Sequence, residues 1–431
     1  MGNVTKHVLP NGLTVLLKEV HSAPLISWWV LYKIGSRNER TGQTGVSHWV
    51  EHMMFKGTDA FPASDVMAMF DRLGGMSNAQ TSFDYTAYFE TVPADKIDLA
   101  IRHEADRMVN AKFDPAEVDS ERTVIISERQ GLENSPLFWL AEEISAAAFR
   151  VHGYHHEIIG DLHDLNTMSR DDLYNHYRTY YAPNNAVISA VGAFDTSEMI
   201  ERISEVYGNI PARDVPQLFS RTEPEQHGER RIRVERPGTT AFLEFAYRAP
   251  AGNDPDFYAL TILNSVLTGP DGNIDNKTSR LYRALVESEI AASVSGSLMP
   301  SIDPYLYSIT ITIRTGRSVE EAEAVFESEI QRVLDGDITE AEVRKAKKQA
   351  RAAFAYSTES VTGQAYWLAY GENLGSFEWF DQYVDKLDQV SLENVLDAAK
   401  RYLRPQSRVV GHLIPTGMSD ESEEFSDDDQ E

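Results

Sequence analysis

The stretch from Pro211 to Arg230 is polar, carries Pro211, Pro216 and Pro224, and shows no apolar period. It reads as a linker, and it splits a chain of 431 residues into two parts that each have the size of an ordinary domain. On the first side, residues 13–17 and 25–32 are rich in Val, Leu, Ile and aromatics and read as strands, the first entered through an Asn11-Gly12 turn. Helical spacing starts at Val46, Val50 and Met53 and continues through Phe70, then recurs over 97–109 and 115–132, with a strand over 86–92 between. A helix over 170–180, a Tyr181-Ala182-Pro183-Asn184-Asn185 turn and a strand over 186–191 complete that side. Beyond the linker the order repeats. Strands over 231–235 and 240–248 precede a helix over 256–267, followed by a strand over 305–313, helices over 319–334, 339–355 and 392–403, and a last strand over 408–413. The expected fold is α+β: two tandem, structurally similar αβ domains, each a mainly antiparallel sheet covered by helices. The expected boundaries are 1–212, a linker over 213–230, 231–417, and an acidic tail over 418–431 that contributes no structure.

The helix over 256–267 stands where, in the first part, a helix carries His48-Trp49-Val50-Glu51-His52. Residues four apart lie one turn apart on one helix face, so His48 and His52 can offer ring nitrogens to a single zinc ion, with Glu51 beside them to accept a proton from water. This reverses the commoner His-Glu-x-x-His order and is the inverzincin pattern. The helix is expected to open near Thr44 and close near Gly57. Catalytic zinc needs a third protein ligand. The helix over 115–132 offers Glu121 and Glu128 on one face, about two turns apart, one to bind metal and the other to accept a hydrogen bond from a ligand histidine; spacing alone leaves the choice between them open. The chain has no cysteine, so disulfides, thiol nucleophiles and cysteine-based metal sites are excluded.

Composition narrows the partners. A formal net charge of -27 repels nucleic-acid phosphates and anionic membrane surfaces. No apolar run approaches the roughly 18 residues of a spanning helix, and the first ten residues lack a signal peptide's basic start and apolar core. The expectation is a soluble, cytoplasmic chain without membrane insertion; a leader removed upstream would place it in the periplasm instead. The Tyr154-His155-His156-Glu157 run lies in a loop without the helical spacing that aims two ligands at one ion, and Gly269-Pro270-Asp271-Gly272 reads as a turn rather than a phosphate cradle, because no Gly-Lys-Ser/Thr follows it.

Leu9-Pro10-Asn11-Gly12-Leu13, Gly35-Ser36-Arg37-Asn38-Glu39, the stretch 45–58 around the histidines, 75–81, Thr86-Ala87-Tyr88 and the Pro-Asn-Asn turn together resemble the insulinase and pitrilysin family, in particular its short-chain members similar to processing peptidases. The resemblance runs from Leu9 to about Leu413. It implies a zinc endopeptidase for extended or unfolded peptides, with His48, His52 and Glu128 as ligands of one zinc per chain, Glu51 as catalytic base and Glu121 as the carboxylate behind a ligand histidine. It further implies that Asn78, Ala79 and Thr81 lie on an edge strand that pairs with substrate backbone, which physically is β-augmentation. Members of this kind bring an Arg and a Tyr from the second half into the site, in a stretch after Ser-Arg-Leu. Here Ser279-Arg280-Leu281 is present, but Val286 takes the Arg place and the Tyr place falls near Ala292. The resemblance therefore favours a homologous partner subunit that supplies the Arg and Tyr in a heterodimer, with a homodimer as runner-up. Because it also covers respiratory-complex core proteins, the rival reading is a non-catalytic scaffold subunit, against which the intact Glu51 argues.

Overall fold

The structure is a computed structural model that describes residues 3–218, 220–270 and 276–417. The acidic tail 418–431, and Asp271 and Gly272 of the 269–272 turn, lie outside the described residues. The chain opens with a hairpin of β1 (Val4–Val8) and β2 (Thr14–Glu19), whose turn is closed by Leu9 N donating to Leu13 O. Gly12 sits there at φ +87°, a left-handed conformation that a residue with a Cβ rarely adopts. The first strand of the hairpin was not expected, being half-exposed and short of apolar residues. β3 (Leu25–Tyr32) is buried on both faces, as its unbroken apolar run implies. After it come α1 (Val46–Met53), α2 (Ala63–Asp71), β4 (Met76–Thr81), β5 (Thr86–Pro93), α3 (Ile97–Asn110), α4 (Pro115–Glu133) and α5 (Pro136–Ala148). α6 (Leu162–Thr167), α7 (Arg170–Tyr180), β6 (Ala186–Gly192) and α8 (Thr196–Tyr207) complete the first half. The helical spacing from Val46 to Phe70 thus resolves into two helices, broken at Gly57, where φ is +80° and a Cβ would lie 2.5 Å from Ala63 N.

The second half contains β7 (Arg230–Arg236), β8 (Phe242–Arg248), α9 (Pro255–Leu267), β9 (Ala291–Leu298) and β10 (Leu306–Ile313). There follow α10 (Val319–Leu334), α11 (Glu340–Ser357), α12 (Val361–Leu374), α13 (Glu378–Gln389), α14 (Leu392–Tyr402) and β11 (Arg408–Pro415).

The first sheet has the order β1-β2-β6-β3-β5-β4 and the second β7-β11-β8-β10-β9. In each, one pair is parallel (β2 with β6, β7 with β11) and the other pairs are antiparallel. Strand for strand, the second sheet repeats the first without β1, so the chain is α+β with two tandem halves of one design. β4 and β9 are the corresponding edges.

The halves exchange helices. α12 of the second half lies on β3 and β6 of the first sheet, where Ala365, Leu368 and Ala369 share a core with Leu16, Trp29, Leu31, Val187 and Val191. Reciprocally, α5 of the first half lies on β7 and β11, with Leu140, Ile144 and Ala148 packed against Val409 and Leu413. Close approach needs Gly411, since a Cβ there would come within 2.8 Å of Leu140 Cδ1 and 2.9 Å of Ile144 Cδ1. Among the described residues no helix is long and apolar enough to cross a membrane.

Candidate metal centre

α1 is held from its N-terminus. The buried Glu39 carboxylate accepts Gly45 N (2.7 Å) and Ser47 N (2.8 Å), two of the amide groups a helix start leaves unpaired. Burial pushes the Glu39 carboxyl up to about 8, against the pull of those bonds. Asp164 accepts Gly42 N, Thr44 N and Thr44 Oγ1 at 2.8–3.0 Å, fixing the approach to the helix. Trp49, Val50 and Met53 face the core, which leaves His48, Glu51 and His52 on the opposite, half-buried face.

That face meets α4 as two antiparallel rows. His48 Nε2 lies 3.8 Å from Glu128 Oε2, and His52 Nε2 lies 3.5 Å from the same oxygen. His52 Nδ1 is 2.8 Å from Glu121 Oε1. His48, His52 and Glu128 each offer one donor atom within 4.8 Å of the others. Ligand atoms about 2.0–2.2 Å from a tetrahedral zinc stand about 3.3–3.6 Å apart, so small rotations would bring these three to one ion. The donor set, two imidazoles and a carboxylate, has the chemistry to hold a zinc ion. Burial, and after it the neighbouring His52, lowers the His48 pKa to about 3, so this ring is neutral and able to donate a lone pair. For His52, burial works in the same direction, but the bond to Glu121 and the surrounding carboxylates outweigh it and raise the value. Glu121 is held down to about 2 by the His52 bond first, opposed by burial and assisted by Lys56.

Glu51 Oε2 accepts the Thr81 hydroxyl at 2.5 Å. Burial raises its pKa, which the Thr81 bond partly offsets. This bond joins α1 to the edge strand β4, where Asn78, Ala79 and Thr81 pair with Phe89, Tyr88 and Thr86 of β5 and leave the other side of the strand open. Among the described residues, the hydrogen-bond and ion-pair partners of His48, Glu51, His52 and Glu128 all come from the first half. Sequence reasoning did not find the hydroxyl of Thr81 beside Glu51, nor the contact of Lys56 with Glu121. Neither carries a local signal, because the partners are far apart along the chain.

A second group of close donors, Glu90, His103 and Glu104, is fully buried beneath α3. Arg107 already fills it, with Nε 2.9 Å from Glu104 Oε2 and its face over the Tyr88 ring. It is an internal ion cluster, closed to solvent. The 154–157 run does not converge on an ion: His155 Nδ1 meets His152 O and His156 Nδ1 meets Glu157 O. Val286 ends a short π-helical turn and Ala292 is exposed on β9, while Arg280 is spent on Glu329 and Glu342.

Residues 14–162 match the family described as Insulinase (Peptidase family M16), and residues 167–350 match Peptidase M16 inactive domain. Zinc protease PqqE of Helicobacter pylori is 29% identical over 421 residues, covering 94% of this chain and 92% of that protein. The probable mitochondrial-processing peptidase subunit beta of Arabidopsis thaliana is 24% identical over 417 residues, covering 94% and 77%. A crystal structure of a protease from Helicobacter pylori superposes with a TM-score of 0.91 at 25% identity, covering 96% of this chain and 100% of that one.

Proposed function

Because the chain belongs to the insulinase family of peptidases (M16), we propose that it is a zinc-dependent endopeptidase for extended peptides, with His48, His52 and Glu128 holding one zinc ion and Glu51 as the base. The observation that carries this reading is the convergence of three donor atoms within 4.8 Å, with a half-buried carboxylate one residue before His52 on the same helix face. Zinc bound there would act as a Lewis acid, making water a nucleophile near neutral pH. Glu51, raised by burial towards the working pH, takes the attacking water's proton and passes it to the departing amine. Glu121 holds His52 by Nδ1, turning Nε2 toward the ion. The open side of β4 receives the peptide as an added strand, with the outward-facing main chain at Ala79 and Thr81 exchanging hydrogen bonds with it. The main chain at Asn78 is turned to Phe89 of β5, and its side chain accepts Ala79 N at 2.9 Å, a bond the peptide would replace. Thr81 was expected to pair with substrate backbone through its strand; its hydroxyl donates to Glu51, so on this reading it contributes its main chain to the peptide and its side chain to the base.

No Arg or Tyr stands at Val286 or Ala292 to grip the tetrahedral intermediate, a contribution worth roughly 3 kcal/mol per donor. On this reading the groups come from a homologous partner subunit, in a chamber completed between chains. The test is Glu51→Gln, expected to keep fold and zinc while losing nearly all turnover, alongside His48→Ala and Glu128→Ala, expected to lose metal and activity together. Undiminished cleavage by Glu51→Gln would refute the mechanism, and full metal occupancy in either ligand variant would refute the ligand set. Adding the partner should raise kcat without adding zinc to this chain; full activity from the purified chain, monomeric or homodimeric by light scattering, would refute the heterodimer. A wild-type chain that neither takes up zinc nor cleaves peptides with a partner present would leave the scaffold reading.

A further inference from the structure

The pairing with α4 continues one turn past the histidines, into the turn that follows α1. Lys56 follows His52 by four residues, and its Nζ donates to Glu121 Oε2 while Oε1 of the same carboxylate takes His52 Nδ1 at 2.8 Å. Glu117, one turn before Glu121, stands 3.6 Å from Nζ. Lysine and imidazole thus hold opposite oxygens of one carboxylate.

The main chain around Lys56 is tightly determined. Lys56 N donates to Met53 O, the left-handed Gly57 turns the chain, its carbonyl accepts Lys112 N, and Thr58 Oγ1 caps Ala60 N and Phe61 N at 3.1 and 2.9 Å. The ammonium is delivered to the same place by a rigid turn. Glu121, buried to within 6% of its surface, needs its charge compensated. A histidine that ligates metal is neutral and supplies one hydrogen bond without charge. The positive charge at this carboxylate then comes from Lys56.

We infer that Lys56 is a positioning residue of the metal centre: it pins the Glu121 carboxylate so that the carboxylate in turn fixes the His52 ring with Nε2 directed at Glu128. The inference rests on the reading of His48, His52 and Glu128 as zinc ligands. Without Lys56 the carboxylate keeps one partner and is free to rotate, and the ring it holds loses its orientation. The effect belongs to metal affinity rather than to the fold, because Lys56 lies on the turn after α1, half-buried and outside the hydrophobic core.

The experiment is competition for zinc against a chromophoric chelator, with the full chain, at one pH. Lys56→Met is expected to weaken zinc binding about tenfold, within the range known for partners that act through a ligand histidine. Lys56→Arg, which keeps charge and donor, is expected to recover most of it. In a Glu121→Gln background Lys56→Met should add nothing, as for two members of one chain of contacts. The visible bands of the cobalt-substituted protein should shift in Lys56→Met and return in Lys56→Arg. Wild-type zinc affinity in Lys56→Met, or an equal loss with and without the Glu121 change, would overturn the inference while leaving the ligand set standing. A wild-type chain that binds no zinc would overturn both.

Discussion

Glu39 ties local electrostatics to stability. Its carboxyl, with that of Glu157 (about 7), is raised chiefly by burial, so the folded chain holds protons there that the unfolded chain has lost. The stability these groups contribute is complete below about 4.5 and is lost as pH rises towards 8. His48 (about 3), His103 (about 4) and His176 (about 3) are lowered chiefly by burial, and their effect runs the other way: stability rises with pH up to about 6.5 and is then complete. His52, raised by its carboxylates against burial, loses its contribution above 6.5 and so adds to the decline. For the metal-free chain the denaturant midpoint should therefore fall between pH 6.5 and 8, and Glu39→Gln should flatten part of that fall. A midpoint constant or rising across this interval would contradict the assigned directions. At this scale the histidine pair was legible because i and i+4 share a face, whereas Thr81 against Glu51 and Lys56 against Glu121 were not, since each joins elements that only the tertiary fold brings together.

Among the elements, sequence patterning identified helices with one wet face and also the almost wholly buried β3, β6 and α9, while the amphipathic α8 and α13 were passed over. α10, α11 and α14 carry an apolar stripe and polar caps, with capping boxes at Thr339 and Ser391. α5 and α12 escaped notice for a physical reason. Each is gripped between its own half and the other half's sheet, so Pro136–Ala148 is apolar almost all round, and Val361–Leu374 mixes Gly363 and Gly371 with aromatics and shows no stripe. β9 was lost among small residues, Ala, Ser and Gly, that give no period-two pattern. The seat of α5 can be tested at Gly411. Gly411→Val should destabilise the protein by about 1–3 kcal/mol through overpacking against Leu140 and Ile144. Gly228→Ala, where a Cβ meets nothing within 4 Å, should be close to neutral in the same thermal melts. A neutral Gly411→Val would mean that α5 does not approach β11 this closely.

At the scale of the whole molecule, the exchanged helices make the two halves one cooperative unit. Removing α12 would expose Leu16, Trp29, Leu31, Val187 and Val191 together, and removing α5 would uncover Val409 and Leu413. Residues 1–212 and 231–417 expressed separately should fail to fold or should aggregate, and mixing them should restore a folded species; the intact chain should melt in one calorimetric transition. Two well-separated transitions, or a soluble, cooperatively folding first half alone, would contradict this. The repeat of element order across the linker was readable in the sequence; the exchange was not, because it depends on faces that carry no pattern of their own.

The same exchange sets a timetable for synthesis. β6 completes the first sheet's interior by Gly192, yet its covering helix ends at Leu374, and β11, the second strand of the second sheet in spatial order, comes after every other described element of that sheet. At about 5–20 residues per second, a nascent chain would carry an uncovered Trp29 face on the order of ten seconds or more before α12 emerges from the ribosome. A stalled or truncated product lacking Arg408–Pro415 would leave β7 and β8 without the strand between them, a ready substrate for quality-control proteases.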